Sequence, residues 1–137
     1  MSDFTVKYIG NLSTQIEHLD TGKKITTDAP KDNKGLGRTF SPTDLASSSL
    51  ASCMLTIIAI VCQTHKINII KMNSNVSKIM SIELPRRISK IKIKVNIQGI
   101  LNDKSKKIIA RAAKNCPVHH SLNPNIDIDL KINYLSL

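Results

Sequence analysis

The chain has 137 residues, a length typical of one domain, and carries a formal net charge of +10 at pH 7. Its odd number of Cys, three, excludes a fully paired disulfide framework. Its first residues do not show the basic segment followed by an apolar segment that is typical of a signal peptide, so we expect a cytoplasmic protein. Because two Phe, two Tyr and no Trp offer few stacking platforms, we expect no nucleic acid as partner. No membrane partner is expected either.

The first third of the chain predicts three short strands and a loop. Phe4–Ile9 and Leu12–Leu19 flank a Gly-Asn step, which is typical of a hairpin, and Lys23–Thr27 is a third strand. The next segment, Asp28–Phe40, contains Pro, Asp, Asn and two Gly, a composition that predicts a loop.

A long helix follows this loop. Ser41 is a suitable cap, Pro42 suits the first helical position, and Asp44 places a negative charge in the first turn. The helix is expected to run to about His65. Its segment Leu45–Thr64 has 20 residues without a charge, enough to cross a bilayer, but its Ser and Thr residues favour a buried central helix.

The second half of the chain predicts further strands and two helices. Ile91–Ile97 and Ile126–Tyr134 alternate apolar and polar residues strictly, and Asn73–Leu84 is a weaker strand. Asn102–Asn115 has an Asn or Asp cap and an apolar stripe, as expected of an amphipathic helix. Since Pro disfavours helix in the preceding residue, a short new helix is expected over Pro117–Leu122. This order of elements predicts an α+β fold with mainly antiparallel sheet.

The three Cys occupy different positions on these elements. Cys53 and Cys62 are nine residues apart, which places them on opposite faces of the long helix. Cys116 falls at the N-terminus of the short helix, where the helix dipole and free N–H groups are expected to lower the pKa of a thiol. His119 and His120 follow at helical spacing, and an imidazole there could assist ionisation of Cys116.

Three interpretations of these Cys compete. All three could be small buried hydrophobic residues. A second interpretation is a tetrahedral zinc site, for which the chain offers two Cys-x-x-His pairs, Cys62 with His65 and Cys116 with His119. The third is a redox dithiol of Cys53 and Cys116, and spacing and composition alone do not select it.

Three segments occur together in the chain: SPTDL from Ser41, ASCM from Ala51 and NCPVH from Asn115. With 63 positions separating Cys53 from Cys116, they resemble the OsmC/Ohr family, the osmotically inducible protein C and organic hydroperoxide resistance proteins. The resemblance covers essentially the whole chain. It implies a single OsmC-like domain of α+β fold, assembled as an intertwined homodimer with buried central helices.

The resemblance also implies a function, that of a thiol-dependent peroxidase acting on organic hydroperoxides. Cys53 would be the nucleophile, which is oxidised to a sulfenic acid, and Cys116 would be the resolving thiol that forms a disulfide with it. An external dithiol, carried in one branch of the family by a lipoylated protein, would reduce this disulfide. No metal and no other cofactor is expected.

The chain departs from the family at the residues that support the nucleophile. Thr43 stands where peroxidase branches have a Glu, with Asp44 one residue late, and no Arg precedes Arg38 in the chain. We therefore take Arg38 and Asp44 as candidate site residues, with Lys23 and Lys24 as other cations; a solvated loop charge is the alternative interpretation of Arg38. The alternative function is a non-enzymatic OsmC-like protein that binds a small ligand or senses redox state.

Overall fold

The computed structural model describes residues 1–135, over which it has six β-strands and three α-helices. The α+β class expected from the sequence is confirmed. The chain divides into two compact units, Met1–Ala46 and the remainder from Ser47. The expectation of a single domain stays a prediction.

The first unit is built on an antiparallel meander of β1 (Phe4–Gly10), β2 (Ser13–His18) and β3 (Lys23–Asp28), in the order β1-β2-β3. These bounds agree with the predicted ones to within one residue. The β1–β2 turn requires left-handed backbone, which glycine adopts most readily, and Gly10 supplies a φ of +90° there. A loop with one short 3₁₀ turn then leads to the first helix.

The first helix, α1, covers Pro42–Thr64 and is capped as expected. Ser41 Oγ accepts a hydrogen bond from the Asp44 N–H at 3.1 Å, and the Asp44 carboxylate accepts one from the Ser41 N–H at 2.9 Å. This reciprocal pair is a capping box, which satisfies two donors that a helix start leaves without partners. Helix α1 is long and apolar enough to cross a membrane by length and composition alone, a test that core helices of soluble proteins also pass.

The second unit contains a sheet of β4 (Ile69–Met80), β5 (Ile88–Gly99) and β6 (Asp127–Leu135), in that order. Strands β4 and β5 are antiparallel, whereas β5 and β6 are parallel. The predicted bounds of β4 were wrong, since the strand begins and ends four residues earlier. The chain turns from Ser81, whose hydroxyl accepts a hydrogen bond from the Arg87 N–H at 3.1 Å and donates one to the Glu83 carbonyl at 3.0 Å.

Two further helices complete the second unit, α2 over Asp103–Ala113 and α3 over Pro117–Ser121. Asn102 caps α2 by accepting a hydrogen bond from the Ser105 N–H at 2.8 Å, as predicted. One core cluster is formed by the apolar face of β5, the buried face of α1 and the apolar stripe of α2. Its fully buried aliphatic residues are Leu50, Met54, Ile58, Ile91, Val95, Ile97 and Ile109.

Candidate functional site

Two thiols from distant parts of the chain meet in the second unit. Cys53 lies on α1 and is half-buried, whereas Cys116 lies just before α3 and is fully buried. The Cys53 side chain lies near enough to Cys116 to raise the pKa of its thiol, although 63 positions separate the two residues in the sequence. Both are free thiols. The structure thus brings together the two residues that the resemblance pairs.

The Cys-Pro step explains the position of Cys116. Pro disfavours helical backbone in the residue before it, and Cys116 is extended, with φ of −85° and ψ of 149°. Pro117 then occupies the first position of α3, where its missing N–H costs nothing. Cys116 is therefore the N-cap of α3, and its sulfur accepts a hydrogen bond from the His119 N–H at 3.3 Å.

The predicted lowering of the Cys116 pKa was wrong. Burial raises the pKa of this thiol, because the charged form loses water, and the adjoining Cys53 side chain raises it further. Main-chain N–H groups of His119 and Val118 act in the opposite direction, as a helix N-terminus should, but they are outweighed. The net effect favours the protonated thiol of Cys116.

Removing the Cys53 side chain should change the pKa of Cys116 in a defined direction. In a Cys62→Ala background, we expect Cys53→Ala to lower the pKa of Cys116 but to leave it above the ordinary thiol value, because burial remains. Alkylation at Cys116, quantified by mass spectrometry against pH, measures this. A Cys116 pKa that is unchanged by Cys53→Ala, or that falls below the ordinary value, would contradict the assignment of causes.

Position also bears on the other interpretations of the Cys. Cys62 is buried on the core face of α1, and burial raises the pKa of its thiol, as expected of a small hydrophobic residue. Among residues 1–135, no three His, Cys, Asp or Glu side chains are placed to share a metal ion, so the two Cys-x-x-His pairs are not assembled into a zinc site.

The two histidines of α3 contribute differently from the prediction. His119 acts on the Cys116 sulfur through its main-chain N–H. The His119 and His120 rings meet edge to face, 6.0 Å apart, and His120 Nε2 is 2.6 Å from the Asn115 side-chain oxygen. The expected aid from an imidazole to Cys116 stays a prediction.

Arg38 belongs to a charged cluster within the first unit. Its Nε and Nη2 donate hydrogen bonds to the two carboxylate oxygens of Asp28 at 2.9 and 3.1 Å, and its main-chain N–H donates a third at 2.7 Å. Ser13 donates a further bond to Asp28, whose side chain is only 3% exposed. Hydrogen bonds from Arg38 and, to a smaller extent, from Ser13 hold the pKa of Asp28 well below its usual range. Asp28 in turn raises the pKa of Arg38.

Sequence reasoning missed Asp28 and Ser13, although one signal was available. The two residues lie directly opposite each other in the β2–β3 hairpin, so its register alone would have paired them. Of the other candidates in this unit, Asp44 caps α1, and Lys24 Nζ is 3.7 Å from a Glu17 oxygen on an exposed surface. The roles of Arg38 and Asp44 as site residues stay predictions.

Two adjoining free thiols in an α+β fold define a protein with a potential dithiol centre. A family model described as OsmC-like protein matches residues 32–131. The chain therefore belongs to the OsmC-like family, and the resemblance stated from the sequence is confirmed.

Similar proteins agree with this assignment. A solved structure from Psychrobacter arcticus 273-4, described as an osmotic stress induced and detoxification response protein, is 42% identical with a TM-score of 0.88, covering 98% of this chain and 96% of that one. The solved organic hydroperoxide resistance protein OsmC of Legionella pneumophila is 18% identical with a TM-score of 0.78, covering 95% and 94%, and shows the fold alone. An uncharacterised protein of Acinetobacter baylyi is 27% identical over 110 residues, 79% of this chain and 76% of that protein.

Proposed function

We propose that this protein is a thiol-dependent peroxidase that reduces organic hydroperoxides, with Cys53 as nucleophile and Cys116 as resolving thiol. The observation that carries the proposal is that the Cys53 side chain is close enough to the buried Cys116 to act on its thiol. Two free thiols that neighbour each other in space are the arrangement from which a disulfide forms. The names of similar proteins, which include organic hydroperoxide resistance proteins, support the substrate class.

Burial supports the division of roles between the two thiols. Cys53 is partly exposed and can meet a peroxide, whereas Cys116 is fully buried. A thiolate is the nucleophilic form of Cys, and Cys116 keeps its proton because burial and Cys53 raise its pKa. The first attack on the peroxide therefore belongs to Cys53.

The proposed reaction has three steps. The Cys53 thiolate attacks one peroxide oxygen, the O–O bond breaks, and the alkoxide leaves as an alcohol after taking a proton, so that Cys53 becomes a sulfenic acid. Cys116 loses its proton and attacks the oxidised sulfur, which forms the Cys53–Cys116 disulfide and releases water. An external dithiol then reduces this disulfide by two thiol exchanges and becomes a disulfide itself.

The partners in this proposal are a dithiol donor, which in this family can be a lipoylated protein, and a second copy of the chain. Exposed apolar side chains on the first sheet support a homodimer, because a soluble protein usually covers a contiguous apolar patch of this kind. On β1 these side chains are Phe4, Val6 and Tyr8, each more than half exposed. Light scattering at micromolar concentration tests the assembly.

Peptide mapping after peroxide treatment tests the function directly. We expect reduced protein treated with limiting cumene hydroperoxide to contain one disulfide, between Cys53 and Cys116, with Cys62 still free because it is buried. Mass spectrometry of alkylated peptides from non-reduced protein measures this. Finding both Cys53 and Cys116 free after excess peroxide would reject the proposal.

The second candidate function is redox sensing or small-ligand binding without turnover. It is favoured by the contacts of Arg38 and Asp44, since Arg38 is held by Asp28 and Asp44 caps α1. Repeated peroxide consumption with excess dithiothreitol separates the two functions. A single equivalent of disulfide without further turnover would indicate a sensor.

A further inference from the structure

The outer face of the second sheet carries a concentration of lysines. Lys92 and Lys94 point away from the buried Ile91, Ile93 and Val95 of β5, because successive residues of a strand face opposite sides. The strand registers show which residues of β4 and β6 lie on this same outer face. We call it the lysine face, and its charged residues are Lys71, Lys90, Lys92, Lys94, Lys131, Asp127 and Asp129.

Most of these lysines make no ion pair, although Lys92 lies directly opposite Asp129 in the parallel register. Lys90 Nζ is 3.5 Å from an Asp127 oxygen, but among residues 1–135 the other four lysines of the face make no ion pair. The face therefore has a net charge of +3 and several ammonium groups free to bind an anion. This surface carries +3 of the formal net charge of +10.

One pair of lysines on this face is arranged unfavourably. Lys94 of β5 lies directly opposite Lys131 of β6 in the parallel register, and like charges in that position destabilise a sheet. Lys92 is two residues from Lys94 on the same strand and face. The three lysines, with Asn75, Ser77 and Asp129, line a shallow depression of about 320 Å³. A negatively charged group bound there would relieve the repulsion.

The chemistry of the face favours an acidic protein over other polyanions. A row of amides, in which Asn133 donates to Asn96 and Asn96 donates to Asn73, offers both donors and acceptors to a polypeptide. The face has no aromatic residue on which a nucleic-acid base could stack.

A second copy of the chain is a poor occupant, because two faces of charge +3 repel each other. On a strand, side chains two residues apart are about 7 Å apart on one face, so an extended acidic segment with alternating carboxylates matches Lys92 and Lys94. We propose that the lysine face is a docking surface for an acidic protein segment whose carboxylates bind Lys92, Lys94 and Lys131.

Fluorescence anisotropy with a labelled peptide of alternating Glu and Ser tests this proposal. We expect salt-sensitive binding that the triple variant Lys92→Gln/Lys94→Gln/Lys131→Gln weakens by about tenfold. The matched control, Lys104→Gln/Lys107→Gln/Lys114→Gln, removes the same charge from α2 and its C-cap, where all three lysines are exposed, and should weaken binding less than about twofold.

Three results would overturn the proposal: no binding by the wild-type protein at low salt, equal weakening by both triple variants, or tighter and equally lysine-dependent binding of a DNA duplex of similar length. The free protein offers a separate test. We expect Lys94→Gln to raise Tm by about 1–3 °C, because it removes the repulsion from Lys131. An unchanged or lower Tm would contradict a destabilising repulsion between Lys94 and Lys131.

Discussion

Replacing Cys53 by Ala should reduce the dithiol-dependent consumption of cumene hydroperoxide to the rate measured without protein, while Cys62→Ala leaves it essentially unchanged. Cys53 is the partly exposed thiol of the neighbouring pair, whereas Cys62 is buried on the core face of α1. The two substitutions are matched, since both replace a Cys by Ala in the same helix. A rate that survives Cys53→Ala, or that is lost equally in both variants, would contradict the proposed nucleophile.

Cys116→Ser should have a different effect from Cys53→Ala. Ser is a favourable N-cap, so this variant keeps the acceptor that starts α3 while removing the resolving thiol. Peroxide should then oxidise Cys53 once and leave it as a sulfenic acid, which proceeds to sulfinic acid when peroxide is in excess. A dimedone adduct at Cys53, detected by mass spectrometry, checks this. Dimedone labelling at Cys62 instead would point to another reactive thiol.

The second large effect concerns stability, and we expect Ile58→Ala to lower the free energy of unfolding by about 2–4 kcal/mol. Ile58 is 0% exposed in the core cluster, so the substitution removes buried methyl and methylene groups and leaves a cavity. For a chain of this length the loss corresponds to a fall in Tm of roughly 7–14 °C. Urea denaturation followed by circular dichroism measures it.

Ile82→Ala is the matched control for this prediction. It removes the same atoms from a side chain at the exposed β4–β5 turn and should change the free energy of unfolding by less than about 0.5 kcal/mol. Equal losses for the two variants would mean that Ile82 is covered in solution. A loss below about 1 kcal/mol for Ile58→Ala would contradict its place in a close-packed core.

Local chemistry made much of the fold predictable. The capping residues Ser41 and Asp44, with Pro42 between them, determine where α1 begins, and Asn102 does the same for α2. These signals act over three or four residues and can be read directly from the chain. The Cys-Pro step was equally local, and it correctly predicted that Cys116 stands at the start of a short helix.

Features that depend on neighbours in space were not predictable in the same way. Alternation identifies the two faces of β5 and β6 but carries no information on which strands pair or in which direction, so their parallel pairing was missed. The pKa of Cys116 depends on how much protein covers the thiol, and the expectation from the helix dipole therefore had the wrong sign. The Asp28–Arg38 contact needed the β2–β3 register and the path of the following loop.

The sulfur that caps α3 is also the sulfur that the proposed reaction consumes. As a thiol, Cys116 holds the His119 N–H at 3.3 Å and so closes the first turn of a helix of only five residues. In the proposed disulfide, the Cys116 sulfur is bonded to Cys53, which changes its position relative to the His119 N–H. Oxidation would then loosen a helix too short to persist without its cap, which makes the backbone of α3 a reporter of the oxidation state of Cys116.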